Sequence, residues 1–373
     1  MDLPVVPIIS SGPASQIDTN EESPYPRFDK GANMARSRVQ AAPSNDNTDQ
    51  NRSDVGTEPS ADFAESSEEV ETPGTPTAEP AEPTLLDVIR FGSDFQVRER
   101  IISETSRLFS AYQDVVDLYC VVVLYDINDS ISSWHSNQIY ESLSTCNKDK
   151  SKDIMLMIVS SGGSVEPAYQ ISKLCKEYSK ERFVVVVPRQ AKSAATLIAL
   201  GADEIHMGPL GELGPIDPQV GKLPALGVVQ ALERIAALAQ SFPGSSDMFS
   251  KYLKEAVTVE QIGYCERISE SATQYAERLI NTKFALIERS KDISRKLVYE
   301  YKDHGFVIDS EEATNLLNRD IIIRDSPELM FAESYYRILD YFSLFLGFYK
   351  SKEIRIIGSA DRGIWVWDKP RGR

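Results

Sequence analysis

Apolar runs that alternate with helix-forming segments constrain the fold of this chain more than any other feature. The runs lie at 118–126, 153–160 and 182–188, and a shorter strand-like segment follows at 204–207. Strands that are apolar throughout are typical of a parallel sheet with helices on both faces. We therefore predict an α/β fold with right-handed crossovers. Residues 260–288 carry apolar side chains at spacings of 3 to 4, which predicts one amphipathic helix.

Composition divides the chain into a tail and a folded part. Residues 1–83 contain 11 of the 20 prolines, and their 16 Asp/Glu against 5 Lys/Arg contribute −11 of the net charge of −16. Such a segment cannot bury enough apolar surface to offset the entropy lost on ordering, so we predict a disordered acidic tail over residues 1–84. The main folded domain is expected at 85–327. A C-terminal extension at 328–373 is expected to contain a helix and a hairpin-like pair of strands.

The same composition argues against several classes of partner and cofactor. An acidic chain repels nucleic acid and anionic membrane surfaces, so neither is expected as a partner. The four cysteines lack the spacing of a zinc site or a disulfide framework, and we expect reduced thiols and no metal. No nucleotide-binding motif is present, so no cofactor is expected. With no convincing signal peptide and no stretch of 18 apolar residues, we expect a cytoplasmic protein.

Two loops of the predicted sheet carry residues suited to chemistry. The sequence "SSGGSVEPAY" follows the second strand, and "PRQAKSAATL" follows the third. Sites form at the carboxyl ends of parallel strands, so both loops are expected at one edge. Gly162 and Gly163 leave their amides unobstructed, which suits an oxyanion site. Ser193 lies where a strand gives way to a helix, and it is either a nucleophile facing the helix dipole or a helix N-cap.

The succession "IVSSGGSVEPAYQIS", "AKSAATLIALGADEI" and "MGPLGELGPIDPQ" resembles the serine dehydrogenase proteinase family of the ClpP/crotonase superfamily, whose distant relatives include ClpP and SppA peptidases. The resemblance extends from about Leu85 to residue 317. It implies a spiral of ββα units and a serine peptidase that forms an acyl-enzyme on Ser193. It also implies an oxyanion hole from Gly162, Gly163 and the amide of Ala194, a peptide or protein substrate, and a homo-oligomer.

The base that would activate the serine has more than one candidate. ClpP places its histidine in the loop that here reads "LGELGPIDPQ", and this loop has none. The resemblance to the serine dehydrogenase proteinase family implies instead a reordered triad of Ser193, Asp217 and His304. From the residues alone, Asp217 can equally be a turn residue, and His304 a loop residue beside a glycine.

Other candidates stay open beside that triad. A Ser/Lys dyad would use Lys254 or Lys251, although charges at that spacing usually form a solvated helix face. His206 is expected to be a strand residue and His135 a residue on a helix surface. The side chain of Lys192 is expected to diverge from the adjoining serine. Two other functions fit the same resemblance, a crotonase-type acyl-CoA enzyme and a non-catalytic assembly scaffold.

Overall fold

The structure, a computed structural model, describes residues 83–220, 223–360 and 362–368. The acidic tail predicted for residues 1–84 lies outside the described residues except for residues 83 and 84. The strands are β1 (Tyr119–Asp126), β2 (Asp153–Ser160), β3 (Phe183–Val187), β4 (Gln190–Ala191), β5 (Glu204–Met207), β6 (Glu212–Leu213), β7 (Gln219–Val220), β8 (Leu223–Pro224), β9 (Ile322–Ile323), β10 (Lys352–Ser359) and β11 (Ile364–Asp368).

The helices lie between these strands and at both ends of the described part. They are α1 (Leu85–Phe91), α2 (Asp94–Ala111), α3 (Gln113–Leu118), α4 (Ser133–Cys146), α5 (Val165–Tyr178), α6 (Ala194–Leu200), α7 (Ala225–Ser241), α8 (Ser246–Ala256), α9 (Val259–Ile280), α10 (Ser290–Arg295), α11 (Ser310–Leu317) and α12 (Pro327–Lys350). Short 3₁₀ turns span Pro243–Ser245 and Phe284–Arg289, and a π turn spans Lys296–Glu300.

Capping residues explain where several helices begin. At the start of α2, Ser93 accepts the amide of Gln96, whose own side chain accepts the amide of Ser93. Thr258 and Gln261 form the same reciprocal pair at the start of α9. Each pair satisfies two backbone donors that the first helical turn would otherwise leave unbonded.

The central sheet is mostly parallel. β1, β2, β3, β5 and β9 run parallel in that order, and the hairpin of β10 and β11 adds antiparallel strands on the outer side of β1. The three long apolar runs predicted as strands form β1, β2 and β3, and the shorter segment forms β5. The residues after 327 thus extend the same sheet.

A second row of short strand pairings lies beyond the carboxyl ends of the main strands. In it Ile131 pairs with Gly163, Ser160 with Ala191, and Ala191 with Leu213, all in parallel. A main strand is therefore followed by a short strand segment and then by a helix, as in β3, β4 and α6. This repeating unit is the predicted ββα spiral, so the fold prediction is confirmed.

Two hydrophobic cores cover the faces of the sheet. Val122 and Leu124 of β1 contribute to the core that lies against α4, α5, α6 and α9. Val121 and Val123 contribute to the core against α1, α2 and α12. Alternate side chains of one strand point to opposite faces, so a strand with helices on both sides must be apolar throughout.

The amphipathic helix predicted over 260–288 is wrong after residue 280. α9 ends at Ile280, and Phe284, which the helical stripe placed in the core, is 94% exposed. Just beyond the helix end, Thr282 Oγ1 donates to the carbonyl of Leu279 at 2.7 Å. Side chains that bond to the last carbonyls compete with the next helical turn.

Candidate active site

Ser193 has a backbone conformation that residues with a Cβ rarely adopt. It lies between β4 and α6 with φ 51° and ψ −117°. Such a conformation costs about 1–3 kcal/mol and is concentrated at functional sites. Ser193 occupies the N-cap position of α6, yet its side chain makes no capping hydrogen bond. The turn is therefore not explained by helix capping.

The first glycine of the Gly-Gly loop packs directly against this turn. The parallel pair of Ser160 and Ala191 aligns the two segments, and Gly162 and Ser193 each lie two residues further on. A Cβ built on Gly162, which has φ 103°, would lie 2.7 Å from both Ser193 Cβ and the carbonyl oxygen of Lys192. Only glycine fits this contact, and its absence of a side chain lets the two loops meet.

Backbone amides around Ser193 differ in their hydrogen bonds. The amide of Gly162 donates to Ser160 Oγ at 3.2 Å. Within the described parts of the chain, the amides of Gly163 and Ala194 donate to no protein group. These two amides are available to a negatively charged group, because unpaired backbone donors bind anions.

The structure brings Asp217 and His304 together through a distant strand pairing. Leu213 and Ile308 form an antiparallel bridge with hydrogen bonds of 2.9 and 3.1 Å between their backbones. Asp217 follows Leu213 by four residues and His304 precedes Ile308 by four. The bridge is isolated, so it brings the two loops near each other without a continuous ladder. His304 Nδ1 lies 3.8 Å from Asp217 Oδ2.

Asp217 and His304 do not form a hydrogen bond with each other. The distance exceeds that of a hydrogen bond. Within the described residues, three buried side-chain polar atoms have no hydrogen-bond partner, and two of them are Asp217 Oδ1 and His304 Nδ1. Buried polar atoms without partners are rare, and a catalytic role is one explanation for them. The Asp217 side chain is 9% exposed and that of His304 is 30% exposed, so the histidine can reach a substrate.

Lys192 and Thr196 tie these segments to the serine turn. The ammonium of Lys192 donates to the carbonyls of Leu213 and Phe306, each at 3.3 Å, and lies 3.2 Å from a carboxylate oxygen of Glu212. Leu213 precedes the aspartate loop, and Phe306 follows His304. Thr196 Oγ1 lies 2.6 Å from the Ala191 carbonyl and accepts the amide that follows Leu213, at 2.9 Å.

The alternative bases lie in other surroundings. His206 is in β5, as predicted, and its ring bonds to Ser326 Oγ at 2.7 Å and to Glu204 at 3.2 Å. Lys251 and Lys254 are both exposed on α8, and Lys251 forms an ion pair with Asp247 at 2.8 Å. These contacts are typical of structural or solvated side chains rather than of a base beside Ser193.

The predicted surface position of His135 is wrong. The residue is 1% exposed, its Nε2 lies 3.3 Å from the buried Asp126, and its Nδ1 lies 3.0 Å from Ser132 Oγ. The amide of Ser132 also points to Nδ1 at 3.1 Å, so this Ser–His–Asp group caps the start of α4. The spacing of Ser132 and His135 is the sequence signal for this helix cap. The burial of His135 could not be predicted from it, because it depends on Asp126, which lies on β1.

A family model matches the central part of the chain. Residues 113–242 match the model described as ClpP-like SDH-type serine proteinase. The uncharacterized protein MJ0137 of Methanocaldococcus jannaschii is 33% identical over 181 residues, which are 48% of this chain and 57% of that protein. The chain spans about half the length of the curated relatives it matches.

Solved structures of proteases have distant likeness to the chain. A mutant of the 1510-N membrane-bound stomatin-specific protease is 17% identical, covers 58% of this chain and 84% of its own, and has a TM-score of 0.38. ClpP1 from Listeria monocytogenes is 16% identical, covers 59% of this chain and 99% of its own, and has a TM-score of 0.35. Across the described ranges, no helix has the length and apolarity needed to cross a membrane.

The matched segment includes the two loops and the serine on which the resemblance was based. It contains Gly162, Gly163, Ser193 and Asp217, whereas His304 lies beyond its end. The resemblance read from the sequence is therefore confirmed over residues 113–242, which are similar to the ClpP-like SDH-type serine proteinases.

Proposed function

We propose that this protein is a serine peptidase that hydrolyses peptide bonds through an acyl-enzyme on Ser193. The observation that carries the proposal is the turn itself. Ser193 has a strained backbone and no capping bond, and it touches Gly162 of the loop that follows the neighbouring strand. The family match to serine proteinases covers this turn. A serine held this way is typical of a nucleophile rather than of a structural residue.

His304 is the proposed base, and Asp217 its orienting carboxylate. Because Asp217 faces Nδ1 of His304, Nε2 is the atom that would accept the proton of the Ser193 hydroxyl. A shortening of the 3.8 Å separation by about 1 Å would give an ordinary hydrogen bond, and such contacts tighten when substrate binds.

The amides of Gly163 and Ala194 are the proposed oxyanion donors. Attack of Ser193 Oγ on the substrate carbonyl places a negative charge on its oxygen, which these amides would stabilise. The amide of Gly162 already bonds to Ser160, so the role of Gly162 is to let the loops approach. His304 then gives its proton to the leaving amine, and water releases the acyl group by the reverse sequence.

Several wider features belong to the same proposal. We propose a peptide or protein substrate and a homo-oligomeric assembly, which the family resemblance supports. No metal or cofactor takes part in this mechanism, since the nucleophile, base and oxyanion donors are all protein groups. A cytoplasmic location is proposed from the sequence, in which the four cysteines lack the spacing of a secreted disulfide framework.

Hydrolysis of casein or a quenched fluorescent peptide library tests the function. Removing the nucleophile should lower kcat/KM by about 10³-fold or more, so Ser193→Ala and His304→Ala should both be nearly inactive. Ser132→Ala is the matched control, because Ser132 also lies beside a histidine but caps a helix. Equal activity of wild type and Ser193→Ala would refute the proposal. A folded, inactive wild type that binds coenzyme A would favour the acyl-CoA alternative.

A further inference from the structure

Two cysteines outside the proposed active site have their sulfur atoms in contact. Cys120 Sγ, on β1, lies 3.4 Å from Cys146 Sγ, on the last residue of α4. Both side chains line a surface cleft of about 420 Å³, together with Lys152, Phe109 and Ser359. The remaining cysteines of the chain, Cys175 and Cys265, are buried elsewhere.

The two thiols differ in their access to solvent. Cys146 is exposed, whereas Cys120 is 7% exposed. The hydrogen bond to Cys146 and then burial raise the pKa of the Cys120 thiol, so Cys120 stays protonated at neutral pH. An oxidant in solution therefore meets Cys146 first. The second thiol that a disulfide requires, that of Cys120, is already in contact with Cys146.

We propose that Cys120 and Cys146 form a modification site at which a peroxide converts the two thiols into an intramolecular disulfide. The thiolate of Cys146 attacks one oxygen of the peroxide, the O–O bond breaks, and a sulfenic acid and one water are formed. The sulfur of Cys120 then displaces the hydroxyl group from Cys146, and that hydroxide takes the Cys120 proton and leaves as a second water. The two thiols lose two electrons, and the peroxide gains them.

The bond would join the end of α4 to the strand that precedes it. It would close a chain segment in which the two cysteines are 26 positions apart. Closing a loop of that size restricts the unfolded chain, so the oxidised protein should have a higher Tm than the reduced one. The proposal does not depend on peptidase activity, because neither cysteine belongs to the proposed triad or oxyanion site.

Peptide mapping of the full chain after hydrogen peroxide treatment tests this site. Iodoacetamide added together with the denaturant, before digestion, would block the thiols that remain, including the buried ones. We expect a cross-linked peptide pair that contains Cys120 and Cys146 and that disappears after dithiothreitol treatment. Before digestion, the oxidised protein should run at monomer size on a non-reducing gel. Cys146→Ser should abolish the cross-link and leave Cys120 reduced.

Cys265→Ala is the matched control and should retain the cross-link, because Cys265 lies on α9 away from the pair. If wild-type Cys146 is converted to sulfinic acid or pairs with a second chain while Cys120 stays reduced, the proposal is wrong. The Tm supplies an independent readout, since peroxide should raise it in wild type and in Cys265→Ala but not in Cys146→Ser.

Discussion

Ser193 shows how one residue can give up stability for geometry. Glycine adopts its positive φ at low energetic cost, whereas serine does not. The close contact with Gly162 prevents the backbone from shifting to a more favourable conformation. The chain therefore keeps a strained serine where glycine would fit better. This pattern is expected when the function requires the side-chain hydroxyl, because the turn alone would favour glycine.

Substituting Ser193 separates strain from chemistry. Ser193→Ala keeps a Cβ and hence the strain, whereas Ser193→Gly removes both the hydroxyl and the strain. We expect Ser193→Gly to have a free energy of unfolding about 1 kcal/mol greater than Ser193→Ala. Urea denaturation of both variants measures the difference. A Gly variant less stable than the Ala variant would show that φ at this position is not strained.

Lys192 joins three chain segments that the proposed site requires. Its ammonium donates to the carbonyl of Leu213, which precedes the Asp217 loop, and to that of Phe306, which follows His304. Its backbone adjoins Ser193. It is a positioning residue in this account, since it acts through the segments it holds. A displacement of about 1 Å between reacting groups can lower a rate by about 10²-fold.

Replacing Lys192 should therefore slow the reaction of the serine more than it unfolds the protein. For Lys192→Met we expect labelling by a fluorophosphonate to fall about 10-fold or more, with partial recovery in Lys192→Arg. Lys254→Met, which alters an exposed lysine on α8, is the matched control. Labelling at the wild-type rate in folded Lys192→Met would exclude the positioning role.

Lys283 supports the other end of the serine helix. It donates to the carbonyl of Leu200, the last residue of α6, and burial lowers the pKa of Lys283 from the usual 10.5 to about 8. Between these values the unfolded chain binds more protons than the folded one. The free energy of unfolding should consequently rise with pH in this window.

The variant Lys283→Met lacks this titration and provides the comparison. Between pH 8 and about 9.5, the stability of wild type should increase relative to the variant by roughly 1 to 2 kcal/mol. Denaturation curves at several pH values measure the difference, in which the tyrosines and cysteines common to both proteins cancel. Parallel pH profiles would contradict a lowered pKa for this lysine.

At the scale of the whole molecule, local patterns predicted the fold better than they predicted the site. β1, β2 and β3 follow from uninterrupted apolar runs, and Gly162 and Ser193 from their positions after strands. The approach of Asp217 to His304 depends on the bridge between Leu213 and Ile308, whose register is a tertiary feature that single-sequence periodicity does not contain. The pair was suggested only by resemblance to a family.

Exposed aromatic residues on α1 and near the end of α12 offer a surface for the proposed homo-oligomer. Phe91 and Phe348 are 73% and 77% exposed, and Tyr349 contacts Phe348 while Arg90 lies over both Phe91 and Tyr349. A contiguous exposed apolar patch of this kind is typical of a protein interface. Light scattering with size-exclusion chromatography should give a molar mass that is a multiple of the chain mass for wild type. The molar mass of Phe348→Glu should be smaller. A wild type that stays monomeric at high concentration would contradict the assembly.

The central claim is that Ser193 is an activated nucleophile, and intact-mass analysis after fluorophosphonate treatment tests it most directly. The account predicts one adduct per chain, located by peptide mapping on Ser193, lost in Ser193→Ala and His304→Ala, and retained in Ser132→Ala and Lys254→Ala. A folded wild type that acquires no adduct, or one whose adduct lies on Ser132, would contradict it.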